Sequence, residues 1–415
     1  MAIFQLKNLV FPADTQVTVT VFCNDPAVLK KIEAGYISGD GFHQDLSMPD
    51  SLRKFEPIPF NVCGNNLDFQ LMLRGEGFHT IKLQFEIDGQ SDYEYLEFYS
   101  LYEDLFKLNP YKGNFHSHTT DSDGLHSQQN TLCIAREAGF DYAAFSEHRL
   151  YTDHTDEFEG LCDRLGTKLF HAEEVHSLPR WICHILSIGA NAGVSQLQSS
   201  EPFIAEVEKA KNNYTELEPA LQNYAAQSEV ITKYIKMRGG KAVLCHPYWK
   251  HTGRLNVPKQ LTDILFRKIA FDAVELITCE YENNSLTNAR YHELAAEGKA
   301  LPVMAGNDWH GQNGERMECA YNISFAEDCS ETGIIDAIVN RRNTAVFGEN
   351  DPMVFGDFRM VSYALFLIKN FYPAYNSVSE LLGLDILCSI DSGEFSSRSA
   401  ELKAQLDLMK MMLKY

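Results

Sequence analysis

The chain has 415 residues, 45% of them hydrophobic and 22% charged, with a formal net charge of -21. That length allows two or three domains around a large buried core, and the composition is that of an ordinary soluble globular protein. So acidic a surface repels nucleic-acid backbones and anionic membranes at long range, which excludes both as expected partners; a small anionic substrate fits only where metal ions reverse the sign locally.

The first residues, Met1-Ala2-Ile3-Phe4-Gln5-Leu6-Lys7, lack the apolar run of a signal peptide. The apolar run 360–368 is too short to span a bilayer and ends at Lys369. Ten cysteines are scattered with no Cys-x-x-Cys pair. Cys183, Cys245 and Cys388 lie in apolar runs and read as reduced core residues, so a cytoplasmic protein is expected.

Residues 1–108 read as a small all-β, sandwich-like domain. Val17, Val19 and Val21 alternate with polar neighbours, as do Leu67, Phe69, Leu71 and Leu73, then Ile81, Leu83, Phe85 and Ile87. Period-two runs separated by glycine turns (Arg74-Gly75-Glu76-Gly77, Asp88-Gly89) predict antiparallel strands with one buried face. His43 and His79 are isolated and read as structural or solvated. Residues 105–113 bridge to the next domain.

From Asn114 strands and helices alternate. Gly113-Asn114-Phe115-His116-Ser117-His118 carries a His-x-His pair, and alternation along a strand puts both rings on one face. The Asp123-Gly124 turn can bring a carboxylate back toward them. Ser127 caps a helix that Gly139 ends. Strand 142–145 runs into Ser146-Glu147-His148, 168–170 into His171-Ala172-Glu173-Glu174, and a strand at 182–186 contains His184. Residues 201–238 are polar and helical. Strand 242–245 ends in His246-Pro247; strands 271–277 and 301–305 follow, the second ending in Gly306-Asn307-Asp308-Trp309-His310. Short apolar strands alternating with helices predict a parallel sheet, open or closed into a barrel, with function at the strands' C-terminal ends. The tail, 351–415, reads as a helical segment packing on the barrel. Leu402, Leu406, Leu408 and Met412 give its last helix an apolar stripe that could also make a homodimer contact.

His116, His118, Asp123, His148, Glu174, His184, His246, Asp308 and His310 thus fall where strands end. Nine ligands exceed the four zinc usually takes and suit two or three ions sharing a carboxylate. In this order the segments resemble the PHP family, named for polymerase and histidinol phosphatase domains: His116-Ser117-His118, Asp123-Gly124, Ser146-Glu147-His148, Ala172-Glu173-Glu174, His184, His246-Pro247 and Asn307-Asp308-Trp309-His310, over residues 112–350. The resemblance implies a distorted seven-stranded β/α barrel with a trinuclear site. His116, His118, Glu174 and Asp308 would hold one metal; Asp123, His148 and His310 a second; Glu174, the bridge, would share a third with His184 and His246. Glu147 and Asn307 depart from the family pattern. So does Trp309, which by alternation points away from the metals. Glu174 is preferred to Glu173 because an apolar Val175 follows it.

The expected reaction is hydrolysis of a phosphate ester on a small phosphorylated substrate. Clustered zinc, manganese or iron ions would lower the pKa of a bridging water toward about 7, giving hydroxide that attacks phosphorus in line. Glu174 and Asp308 would be catalytic, with Arg149 and Arg254 completing the phosphate cradle and His176 or His251 placed to protonate the leaving group. The alternatives are a nucleotide or short-oligonucleotide phosphatase or nuclease, a metal hydrolase of amides or lactones of the amidohydrolase type, and a non-catalytic module with a relic site.

Overall fold

The computed structural model describes residues 3–38, 55–153, 155–312, 314–348 and 351–415; His43 lies outside them. The chain divides into two compact units. The first comprises Met1–Leu108, Ser362–Tyr375 and Ala404–Tyr415, the second Asn109–Val361 and Asn376–Lys403.

The first unit contains two sheets. One runs in the order Phe4–Leu6, Thr15–Cys23, Asn66–Leu73 and Asn61–Cys63. The other runs Val10–Pro12, Gln90–Leu101, Gly77–Ile87, Ile32–Ser38 and Glu56–Pro57. The alternating apolar residues do what period two demands: Val17, Val19, Val21, Leu67, Phe69, Leu71, Leu73, Ile81, Leu83 and Phe85 share one buried cluster. His79 is in this unit's interior, between the Tyr36 hydroxyl at 2.6 Å and Ser100 Oγ at 2.8 Å.

The second unit is built on a ten-stranded mixed sheet. Its order is Val303–Ala305, Ala273–Ile277, Lys241–Leu244, His184–Ile188, Lys168–His176, Tyr142–Phe145, Asn109–Asn114, Ala320–Ala326, Asn343–Phe347 and Met353–Gly356. The sheet curls until its first strand meets strands near its far side, and asparagines make the seam. Asn322 Oδ1 accepts from Ala305 N (2.9 Å), its Nδ2 donates to Ala305 O (2.8 Å), and Asn343 Nδ2 donates to Val303 O (2.9 Å). The result is a nearly closed, barrel-like sheet. Helices between its strands include Gln128–Glu137, whose N-terminus is capped by Ser127 Oγ and which ends at Gly139 (φ +81°), Pro219–Met237 and Tyr281–Ala296.

The all-parallel expectation is corrected. His184–Ile188 runs antiparallel to both its neighbours, and Ala320–Ala326 antiparallel to Asn109–Asn114. Seven residues separate the Lys168–His176 strand from the next, too few for a parallel crossover, which needs a dozen or more. Cys183 and Cys245 are buried as expected, but Cys388 is exposed. Cys279 and Cys319 form a disulfide, their Cα atoms 6.1 Å apart, which the scattered spacing did not signal. Of the tail's stripe only Leu406 is buried, while Leu408 and Met412 are exposed, because the buried residues of the Ser397–Leu413 helix, Ser399, Leu406 and Leu413, follow a seven-residue spacing that leaves those two on another face. No helix among the described residues is long and apolar enough to cross a membrane.

Candidate metal centre

The nine residues singled out from the sequence converge at one end of the barrel-like sheet. His116 and His118 follow the Asn109–Asn114 strand, His148 follows Tyr142–Phe145, His246 follows Lys241–Leu244, and Asp308 and His310 follow Val303–Ala305. His184 instead begins its strand, and because that strand is reversed its start lies at the same edge as the others' ends. Backbone pairing continues past the regular strands to register these segments. His118 N donates to Trp309 O (2.8 Å), Glu174 N to Glu147 O (3.2 Å), and Arg149 N to Glu174 O (2.9 Å). Asp308 (φ +51°) and His246 (φ +24°) hold left-handed conformations, which side chains other than glycine adopt mainly where the surroundings over-determine them.

Among the described residues five overlapping groups result, in each of which one ligand atom per residue lies within 4.8 Å of all the others: His116, His118, Glu174 and Asp308; His118, Asp123, His148 and His310; Glu174, His184 and His246; His148, Glu174 and His176; and His116, Cys245 and His246. Glu174 is fully buried at the junction. Its Oε1 lies 2.8 Å from His184 Nδ1 and 3.0 Å from His246 Nε2, and its Oε2 lies 2.6 Å from His148 Nδ1. Asp308 Oδ1 lies 3.0 Å from His118 Nε2 and 3.1 Å from His116 Nε2. Asp123 Oδ1 is 3.2 Å from both His148 Nε2 and His310 Nε2. Glu173 faces the other way and accepts from Val194 N and Ser195 N.

The donor set fits cations. His116 Nε2, His184 Nδ1 and Glu174 Oε2 are buried and stand 3.1, 2.8 and 2.6 Å from Asp308 Oδ1, Glu174 Oε1 and His148 Nδ1 without hydrogen-bond geometry, an approach that an ion shared between them would satisfy. Burial disfavours charge on Glu174, yet the imidazoles of His184, His116 and His148 outweigh it and hold the carboxyl well below its usual range. Asp308 is held well down in the same way, burial being outweighed chiefly by His116 and His118. Burial pushes His118 down to about 4, which leaves it a neutral imidazole. A metal needs ionised carboxylates and neutral imidazoles, so His148 and His246, where the lowering effect of burial is outweighed chiefly by Glu174 and the pKa lies above the ordinary value, would give up a proton on binding it. At His116 burial is opposed by Glu275, Asp308 and Glu174, and its pKa lies well above the ordinary value.

Several supporting residues were not anticipated. Glu275, buried in the Ala273–Ile277 strand, lies 2.6 Å from His116 Nδ1 and accepts from His246 N (3.1 Å). It thereby fixes which His116 nitrogen faces the cluster, as carboxylate partners of metal-bound histidines do. Gly306 makes room for it: a Cβ there would fall 1.8 Å from Glu275 Oε1. The only sequence signal was one acid in the apolar run Val274-Glu275-Leu276-Ile277. Glu147, known from the sequence only as a departure, is fully buried and accepts from Thr119 N and Thr119 Oγ1, and also from Ser122 Oγ. It clamps the loop that carries Asp123. His184 Nε2 lies 3.0 Å from Trp181 O, which directs Nδ1 inward.

The remaining candidates fall as follows. His176 belongs to the cluster, its Nε2 3.0 Å from His148 Nδ1 and 3.4 Å from Glu174 Oε2. His251 is exposed on the hairpin formed by Lys250–His251 and Arg254–Leu255. Arg254 is exposed on the same hairpin, and the structure gives it no contact with the cluster. Arg149 is exposed beside the cluster, its guanidinium 5.7 Å from the Trp181 ring centre. Trp309 is buried, stacked on His126 at 5.4 Å, with Nε1 donating to Glu315 O, and Asn307 Nδ2 donates to Met317 O.

No protein-family model and no curated protein matches the chain. Among solved structures it is similar to a two-domain protein from Bacteroides vulgatus ATCC 8482 containing a predicted PHP-like metal-dependent phosphoesterase, at 20% identity over 59% of this chain and 66% of that one, with a TM-score of 0.39. The chain thus spans just under two thirds of that protein. It is also similar to an amidohydrolase from Chromobacterium violaceum with bound sulfate and no metal, at 17% identity over 48% of this chain and 87% of that one, TM-score 0.32.

Proposed function

We propose that the chain is a metal-dependent phosphoesterase that hydrolyses a small phosphate ester. The observation that carries this reading is the convergence of nine imidazole and carboxylate side chains, drawn from separate segments, whose ligand atoms lie within 4.8 Å of one another in each group. His116, His118, Glu174 and Asp308 would hold one divalent ion, Asp123, His148 and His310 a second, and Glu174, His184 and His246 a third. Zinc, manganese or iron ions bound there supply an acidified water and positive charge against phosphoryl oxygens.

The chain's own contribution is position. Glu275 and the Trp181 carbonyl orient His116 and His184, and Glu147 fixes the Asp123 loop. Arg149, exposed beside the cluster, offers a guanidinium to a phosphate whose other oxygens face inward. Arg254 stands in a loop that follows His246 and would reach the substrate only by moving with it.

Elemental analysis of the purified protein should find two or three zinc, manganese or iron ions per chain. A phosphate-release screen over p-nitrophenyl phosphate, mononucleotides and sugar phosphates should find a substrate, with inorganic phosphate as a competitor. Metal-loaded protein that cleaves none of these refutes the proposal. Cleavage of amides or lactones, insensitive to phosphate, would favour the amidohydrolase-type alternative.

A further inference from the structure

Two of the chain's three tryptophans stand against the cluster. The Trp249 ring lies 5.6 Å from that of His184 and 5.8 Å from that of His246. The Trp181 ring lies 5.6 Å from that of His176. Neither is core packing of the usual kind. Trp181 is 50% exposed in spite of its size and sits at φ +50°. Trp249 is half-buried, with its Nε1 donor enclosed and lacking a hydrogen-bond partner.

The two loops are fastened to each other. Asn256 Nδ2 donates to Trp181 O (3.3 Å) and Ile182 O (3.1 Å), while Asn256 N donates to Trp249 O (3.0 Å). One asparagine therefore sets the spacing between the indole-bearing segments, and His184 Nε2 ties the Trp181 carbonyl to the cluster itself. Arg149 adds a cation against the Trp181 ring. Large flat apolar surfaces held open to solvent beside a polar cluster are what a planar aromatic group would cover, because ring faces stack and exclude water. Glycerol phosphate, which has no ring, has no such face to offer.

We propose that Trp181 and Trp249 form an aromatic subsite, and that the substrate is a phosphate ester of a planar aromatic group, either a nucleoside or a phenyl-type alcohol, whose ring stacks there while the phosphate meets the cluster. The assignment rests on the phosphoesterase reading for the phosphate end only. Trp181 and Trp249 are specificity residues and take no part in breaking the P–O bond.

The test compares kcat/KM of the metal-loaded protein for adenosine monophosphate, phenyl phosphate and glycerol phosphate. The aromatic esters should exceed glycerol phosphate by about tenfold or more, the worth of one stacked ring. Trp181→Ala and Trp249→Ala should collapse the ratio of adenosine monophosphate to glycerol phosphate toward one and lower that of phenyl phosphate, whose phenol is the better leaving group, by a similar factor, and Trp181→Phe should restore most of both. The ester that loses the larger factor in Trp181→Ala identifies the source of the ring. A wild-type ratio near one, or variants that lower all three substrates equally, overturns the proposal. A second arm needs no turnover: adenosine, which has no phosphate, should quench tryptophan fluorescence, Trp181→Ala and Trp249→Ala should each diminish the effect, and the double variant, which keeps only the buried Trp309, should abolish it. Quenching without hydrolysis of any ester would sink the phosphoesterase reading and leave the aromatic subsite standing; the absence of quenching removes the subsite.

Discussion

Glu275 shows how a residue that binds nothing itself can govern the cluster. It has no exposure, and its two oxygens are committed to His116 Nδ1 and His246 N. Glu275→Gln keeps the shape but removes the charge that favours the Nδ1-protonated form of His116. The expected outcome is a metal affinity lower by about ten- to a hundredfold, the usual cost of losing such a partner, measured by equilibrium dialysis against zinc or manganese. Affinity within twofold of the parent would show that the pair serves packing alone. At this scale the sequence was partly legible. His116 and His118, His246-Pro247, and Asp308 with His310 announce themselves by spacing, and Glu174 could be preferred to Glu173 since strand neighbours face oppositely. Glu275 could not be found this way. A single acid in a buried strand has no periodic or spacing signature, and its partners lie 159 and 29 residues away.

Elements, rather than residues, explain how Asp123 reaches the histidines. The segment from Thr119 to Ser122 is held down by Glu147 through the Thr119 amide and both hydroxyls. Glu147→Ala leaves those donors unpaired in a buried site and frees the loop. The group of His118, Asp123, His148 and His310 should then lose its ion first. Elemental analysis should show a loss of about one metal per chain, with the metal shared by Glu174, His184 and His246 retained. Equal loss of all metals would mean that the loop supports the whole cluster. The direction of the His184–Ile188 strand belongs to the same scale. Its apolar run was legible in the sequence; its reversal is set by the seven-residue connection before it, too short for a parallel crossover, and an apolar run carries no sign of its own direction.

The β unit brings a pH dependence of its own. Ser100 Oγ donates to Gly75 O, so it accepts from His79 Nε2–H, and Nδ1 is left to accept from the Tyr36 hydroxyl. The folded state thus specifies a neutral ring, and burial pushes the His79 pKa down to about 4. The unfolded chain binds this proton near 6.5, so between pH 6.5 and about 4 unfolding takes up a proton. The stability contributed is fully present above pH 6.5 and is lost as the pH falls through that window, by up to about 3 kcal/mol. Urea midpoints of the full chain between pH 7 and 4 should therefore fall more steeply than those of His79→Gln, which lacks the titrating ring. Parallel slopes would mean that His79 is protonated without penalty.

For the molecule as a whole, a net charge of -21 disfavours polyanions at long range, and cations held in the donor cluster as proposed would invert the field there. Whether that place exists depends on closure of the sheet, and closure rests on Asn322. Its side chain, fully buried, satisfies both Ala305 N and Ala305 O and accepts from Asn343 Nδ2 (3.0 Å), doing for the seam what a backbone ladder does between ordinary strands. The Val303–Ala305 strand joined at this seam leads directly to Asp308 and His310. An asparagine at this position carried no sequence signal, because its role exists only once Asn322 has met Ala305, seventeen residues away on another strand. Asn322→Leu would leave the Ala305 N–H and C=O buried and unpaired, at about 1 to 3 kcal/mol each. The urea midpoint should drop accordingly, and metal content should fall with it, although Asn322 touches no ligand. Asn322→Asp keeps the acceptor for Ala305 N and loses the donor to Ala305 O, so it should fall between. If Asn322→Leu lowers stability yet binds a full complement of metal, the donor cluster assembles without the seam, and the strand bearing Asp308 and His310 is held by its pairing with Ala273–Ile277 alone.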